Sequence, residues 1–167
     1  EKKLLRNLIK ENTEFEMIRA TPENLEKAKE YAQEAQNNQI NNYENLFRNK
    51  NGAIRSRYNE CGNDMETRFT DPNIFRFSKS SGYPDLQTNE FYMEIKLSSY
   101  DNLESTFRSF YISTLDKIEK TLPHILICFV HIDGKLDNSR PPIVKDLYDI
   151  ELTLKCEWES NNKEMYQ

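Results

Sequence analysis

Residues 124–132 read HILICFVHI, an unbroken apolar run between two histidines that continues into Ile132. A half-exposed strand alternates apolar and polar residues, and this run does not, so both of its faces must be covered. Pro123 stands directly before it and stops any helix running into it from upstream. A strand buried on both faces needs helices against a sheet, which predicts an α/β fold with a mixed central sheet. Cys128 lies inside the run and reads as a buried structural thiol, and His124 and His131 at its two ends read as structural.

The flanking segments supply the helices. TPENLEKAKEYAQEAQ, residues 21–36, opens with Thr21 as N-cap and Pro22 at the first helical position, and carries a narrow stripe of Leu25, Ala28, Ala32 and Ala35. The asparagine-rich NNQINNYEN after it reads as a connection or a short second helix. GNDMETRF, residues 62–69, suits a short helix that ends before Pro72. DNLESTFRSFYISTLDKIEKTL, residues 101–122, has a capping box of Asp101 and Glu104 and apolar residues at helical spacing, which predicts a long helix. IVKDLYDIELTLKCEWE, residues 143–159, holds one further strand and room for a short helix.

The chemistry concentrates in GYPDLQTNEFYMEIK, residues 82–96, which reads as a hairpin. In the second strand Phe91, Met93 and Ile95 point one way, and Tyr92, Glu94 and Lys96 the other. A two-residue loop at Thr88 and Asn89, or a four-residue loop over Gln87 to Glu90, pairs Leu86 with Phe91 and Asp85 with Tyr92. That register puts Asp85 on the face of Glu94 and Lys96, diagonal to Glu94. Two carboxylates so close repel unless a cation lies between them, and hard oxygen donors suit magnesium, with manganese able to substitute. The Lys96 ammonium can orient a water or hold negative charge built up during attack on phosphorus. In a chain that is 31% charged, Glu-x-Lys alone is a weak signal, and a solvated hairpin with a cross-strand ion pair is the plainer alternative.

Charge and cysteine usage bound the rest. A net charge of −5 and a pI near 5.2 argue against coating nucleic acid through bulk positive charge. A local basic stretch such as FRNKNGAIRSRY can still touch a backbone. Three widely spaced cysteines fit neither a disulfide framework nor a zinc site, and no apolar run approaches a membrane span, so the expectation is a soluble cytoplasmic protein.

The order of these pieces resembles the common core of the PD-(D/E)XK nuclease superfamily, and within it the type II restriction endonucleases. The motif residues are Gly62 and Glu66 in GNDMETRF, Pro84 and Asp85 in YPDLQ, and Glu94 and Lys96 in MEIKLSS, over about residues 60–132. The resemblance implies a restriction-endonuclease-like core at 60–167 and a helical N-terminal arm at 1–59 for recognition or dimerisation. It implies metal ligation by Asp85, Glu94 and the Ile95 carbonyl, with Glu66, or Glu60 in another helix phase, completing the shell and Lys96 assisting the attacking water. The implied activity is magnesium-dependent, site-specific cleavage of double-stranded DNA by a homodimer, with a companion DNA methyltransferase acting on the same site. Other readings are a structure-specific or nicking repair nuclease of the same superfamily, or a non-catalytic DNA-binding module on the same fold. Lys79, Ser98 and Arg108 are candidates for phosphate contact, and Lys135 and Arg140 for base edges.

Overall fold

The computed structural model describes residues 2–42, 45–48, 61, 64–77, 83–101, 110–158 and 163–166. Strand β1 (Lys2–Leu4), helix α1 (Leu5–Asn12), strand β2 (Met17–Ile18) and helix α2 (Pro22–Asn42) come first. Strands β3 (Arg76–Phe77), β4 (Leu86–Gln87) and β5 (Tyr92–Ser99) follow, then β6 (Phe110–Tyr111) and a 3-10 helix (Ile112–Lys117). The chain closes with β7 (Leu122–Ile132), β8 (Lys135–Leu136), β9 (Ile143–Asp146), β10 (Glu151–Trp158) and β11 (Lys163–Tyr166).

The apolar run 124–132 lies within β7, at the centre of a mixed sheet ordered β2-β7-β5-β4-β3. β5 runs parallel to β7 from Tyr92↔His124 to Ser99↔His131. The other edge of β7 is shared in turn by β2 at Leu122, β9 from Ile125 to Cys128, and β8 at His131. A second sheet, β1-β10-β11-β6, joins the two ends of the chain. The architecture is the expected α/β one, a curled mixed central sheet flanked by helices, consistent with a restriction-endonuclease-like core.

Alternation along β5 and β7 sorts the two cores. Met93, Ile95, Ile125, Ile127 and Phe129 pack against Ala28, Ala32 and Ala35 of α2 and against Met65 and Phe69. Tyr92 and Leu126, on the opposite face, pack with Leu5, Leu8 and Ile9 of α1 and with Leu115 and Ile118. The small alanines let α2 lie close to the sheet. Thr21 caps it as expected: the Thr21 hydroxyl accepts the Asn24 N–H at 3.1 Å, and the Asn24 side chain accepts the Thr21 N–H at 3.0 Å.

Several local expectations are corrected. Helix α2 runs on through Asn42 instead of breaking after Gln36. Tertiary contacts carry it there: Gln36 donates to the Asp137 carbonyl and the Asn138 side chain, and Gln39 bonds Asp64 and Arg68. The long helix expected over 101–122 is absent from the described part of that segment, where β6, the 3-10 helix and the start of β7 stand instead. Phe110 and Tyr111 satisfy their main chain against β11, and the β-branched Ile112 and Thr114 favour helix weakly. Leu115 and Ile118, three apart and both buried, match the shorter 3-10 period. Residues 102–109, with Glu104 and Arg108, lie outside the described residues. Within 143–159, where one strand and room for a short helix were expected, two strands form, β9 and β10. No helix among the described residues is long and apolar enough to cross a membrane.

Asp133 (φ 49°) and Gly134 (φ 83°) make the tight turn from β7 to β8, both in the left-handed region that an Asp-Gly turn accommodates. A Cβ on Gly134 would run into the Asn45 side chain and the Phe47 ring. Gly134→Ala is therefore expected to cost about 2 kcal/mol of unfolding free energy or more, read as a lowered urea midpoint at unchanged slope.

Candidate active site

Strand β4 is short because Asp85, the residue before Leu86, turns from main-chain to side-chain pairing. Its N–H donates to the Met93 carbonyl at 3.1 Å, while its Oδ2 accepts the Ile95 N–H at 2.8 Å. The carboxyl group thus replaces a ladder carbonyl at the point where the sheet edge opens. The peptide bond between Tyr83 and Pro84, just before it, is cis. Observed pairing is Leu86↔Met93 and Gln87↔Tyr92, two residues out of the expected register, around a loop of Thr88 to Phe91. The Thr88 side chain sets that four-residue loop by accepting the Glu90 and Phe91 N–H groups, both at 3.1 Å. A shift of two preserves the face, so Asp85 comes opposite Glu94 instead of diagonal to it.

The carboxyl groups form a connected chain. Glu94 is buried, 5% exposed, and both it and Glu66, from the helical stretch 64–66, hydrogen-bond Asp85. A hydrogen bond between two carboxyl groups requires a proton on one of them. Burial is the main reason one stays: it holds the Glu94 carboxyl well above the usual range, with neighbouring Asp85 adding to the effect. The same causes push Glu66 up to about 7, while Lys96 draws both groups back down. Lys96, half-buried on the Glu94 face of β5, is therefore close enough to be felt by both acids.

A second lysine enters from a distant part of the chain. Lys117, the last residue of the 3-10 helix, donates its ammonium to the Pro84 carbonyl at 3.4 Å. Burial lowers its pKa while Asp85, Glu94, Asp116 and Glu66 act against that. The sequence reading of 101–122 as one long helix gives Lys117 no route to the hairpin and so misses it. Tyr92 anchors the segment after it, its hydroxyl accepting the Glu119 and Lys120 N–H groups at 2.8 and 3.2 Å. Behind Tyr92 the fully buried His124 stacks on Tyr83, and the Tyr83 hydroxyl pairs with its Nδ1 at 2.5 Å. Burial depresses His124 to about 3, so it supports the strand as a neutral ring.

The remaining candidates are dispersed. Ser98 shares the face of Glu94 but is buried, with its hydroxyl on the Ser99 carbonyl at 3.3 Å. Lys135 is exposed on β8. Arg140 pairs with Asp137 at 3.8 Å and lies over the Tyr100 ring at 5.2 Å. These three sit toward the carboxyl ends of β5 and β7, beyond Glu94 along the strand. Lys79, Glu60 and the residues of Arg108's segment lie outside the described residues.

Among the described residues no three Asp, Glu, His or Cys side chains are gathered around one point as a closed metal site. Magnesium does not require that, since it keeps several waters and uses one or two carboxylates with substrate oxygens. Asp85 and Glu94 supply hard oxygens that the fold holds side by side, and a cation between them would relieve their repulsion. The Ile95 carbonyl leaves the strand on the same side as its N–H, toward Asp85. This donor set fits a small divalent cation.

The raised carboxyls set a pH dependence for the metal-free protein. Between the ordinary 4.5 and about 7 the folded state binds more protons at Glu66 than the unfolded state does, so stability falls as pH rises. His124, depressed from 6.5, acts in the opposite direction at lower pH, so the clean window lies above that value. In EDTA the melting temperature is expected to fall from about pH 6.5 to about pH 8, and less so in Glu66→Gln, which cannot ionise. A flat profile shared by both proteins would contradict the coupled carboxyl chain.

No curated protein and no solved structure matches this chain. A family model described as the type II restriction enzyme MjaV family matches residues 76–167, more than half of the chain and including Asp85, Glu94, Lys96 and Lys117. The chain therefore belongs to the type II restriction enzyme MjaV family.

Proposed function

We propose that the chain is a nuclease of the PD-(D/E)XK type that hydrolyses phosphodiester bonds at a short specific site in duplex DNA and depends on magnesium, with manganese as a substitute. The observation that carries this reading is the chain of carboxyl groups Glu66, Asp85 and Glu94, with Lys96 on the same strand face. Family membership supports DNA cleavage as the activity.

Asp85, Glu94, the Ile95 carbonyl and Glu66 would hold the cation. When bound it makes a coordinated water more acidic and offsets charge on the scissile phosphate. The protein's own part is positional. The Ile95 N–H fixes one Asp85 oxygen and leaves the other for ligation, and β7 holds Glu94 rigidly beneath it. Lys96, as an ammonium, orients the attacking water or stabilises the charge that grows on the non-bridging oxygens. The deprotonation of Glu66 that ligation requires makes cation affinity rise with pH near 7.

Two copies related by a two-fold axis would cut both strands of a palindromic site, so the working unit is read as a homodimer. The segment 1–59 is read as the recognition or dimerisation part, and a companion methyltransferase protects the host site.

Incubation with unmethylated, sequence-diverse duplex DNA tests the reading. Discrete fragments are expected with magnesium and none with EDTA, and Lys96→Ala should slow cleavage by about a hundredfold or more while still binding the duplex. A smear or a single nick would favour the structure-specific alternative. No cutting of any duplex or branched substrate would sink the nuclease reading. On a duplex carrying one mapped site, sedimentation should show two chains per DNA; one chain per DNA would remove the dimer.

A further inference from the structure

We propose that the cavity beside Asp85 is a subsite for a second DNA phosphate, adjoining the one that is cut, and that Lys117 positions that phosphate against the carboxyl chain. The proposal rests on the nuclease reading above. The cavity has a volume of about 360 Å³ and opens between β3, β4 and the segment following the 3-10 helix. Arg76, Lys117 and Lys120 line it as cations, against the acids Asp85 and Glu119. Three cations thus face two acids, so an occupant meets net positive charge even with no metal on Asp85.

Each cation is held by the fold. Arg76 donates to the Asn89 side chain at 2.9 Å, Lys117 to the Pro84 carbonyl at 3.4 Å, and the Tyr92 hydroxyl fixes the Lys120 backbone at 3.2 Å. Glu66, Glu94 and Lys96 do not line this cavity, and Asp85 is its link to them. Its occupant is therefore a neighbour of the reacting phosphate and not that phosphate itself. The Phe77 ring, half exposed, supplies an apolar wall that a deoxyribose packs against. Lys117 differs from an ordinary surface lysine in that it is half-buried and felt by all three carboxyl groups of the centre. A phosphate contact there joins substrate binding to the geometry of Asp85 through the Pro84 carbonyl.

The test uses the full chain and a duplex carrying the site mapped from wild-type cleavage. Binding is followed by fluorescence anisotropy in EDTA over a range of salt. Lys117→Gln and Lys120→Gln are each expected to flatten the slope of log affinity against log salt by about 0.9, one phosphate contact apiece. Lys117→Arg should restore the slope, and Lys29→Gln, an exposed lysine on α2, should leave it unchanged. In cleavage, loss of Lys117 should raise KM more than it lowers kcat. A duplex with an uncharged methylphosphonate at the adjoining position should weaken the wild type as Lys117→Gln does, and should not weaken Lys117→Gln further. Wild-type cleavage combined with unchanged slopes in Lys117→Gln and Lys120→Gln would overturn the subsite alone. Absence of cleavage by the wild type would overturn the nuclease reading and the subsite with it.

Discussion

The hydrogen bond from the Ile95 N–H to the Asp85 carboxyl group is where sheet becomes site. A strand edge needs partners for its main chain, and β5 has them on one side throughout, from β7. On the other side β4 ends at Leu86, and the donor left by its ending is satisfied by a side-chain oxygen. That exchange fixes the Asp85 carboxyl in position, sets it opposite Glu94, and leaves an opening that Glu66 and Lys117 enter from separate elements. A longer β4 would satisfy the same donor with a carbonyl and bring no acid to the edge.

The centre carries a cost that its surroundings absorb. Acids brought together at low exposure cannot all ionise, and the structure meets this with shared protons and with two ammonium groups, Lys96 and Lys117, close by. The neutral scaffold of Tyr83, Tyr92 and His124 behind the strand adds no competing charge. On the proposed reading a cation would take the place of those protons, and its binding would release them.

Much of this was legible in the sequence because it rests on local patterns. The unbroken run 124–132 announced the central strand, and period-two alternation set Glu94 and Lys96 on one face. Register was less legible: the Thr88 side chain seats a four-residue loop over Thr88 to Phe91, which moves the pairing by two residues, and only the parity of the shift kept Asp85 on the face of Glu94. Lys117 was hidden because apolar spacing over 101–122 matched a helix, whereas β-branched residues and pairing with β11 made a strand and a 3-10 turn. The reach of α2 to Asn42 was likewise hidden, since it depends on glutamines bonding to residues far along the chain. The seating of His124 between two tyrosines had no local signal either.

The central claim is that the hydrogen-bonded carboxyl groups are the metal-free form of a cation site. Titration calorimetry with manganese, repeated at about pH 6.5 in buffers of different ionisation heat, counts the protons displaced on binding. The account predicts saturable binding that releases protons and is lost in Asp85→Ala. Binding with no proton release, or binding that persists unchanged in Asp85→Ala, would contradict it.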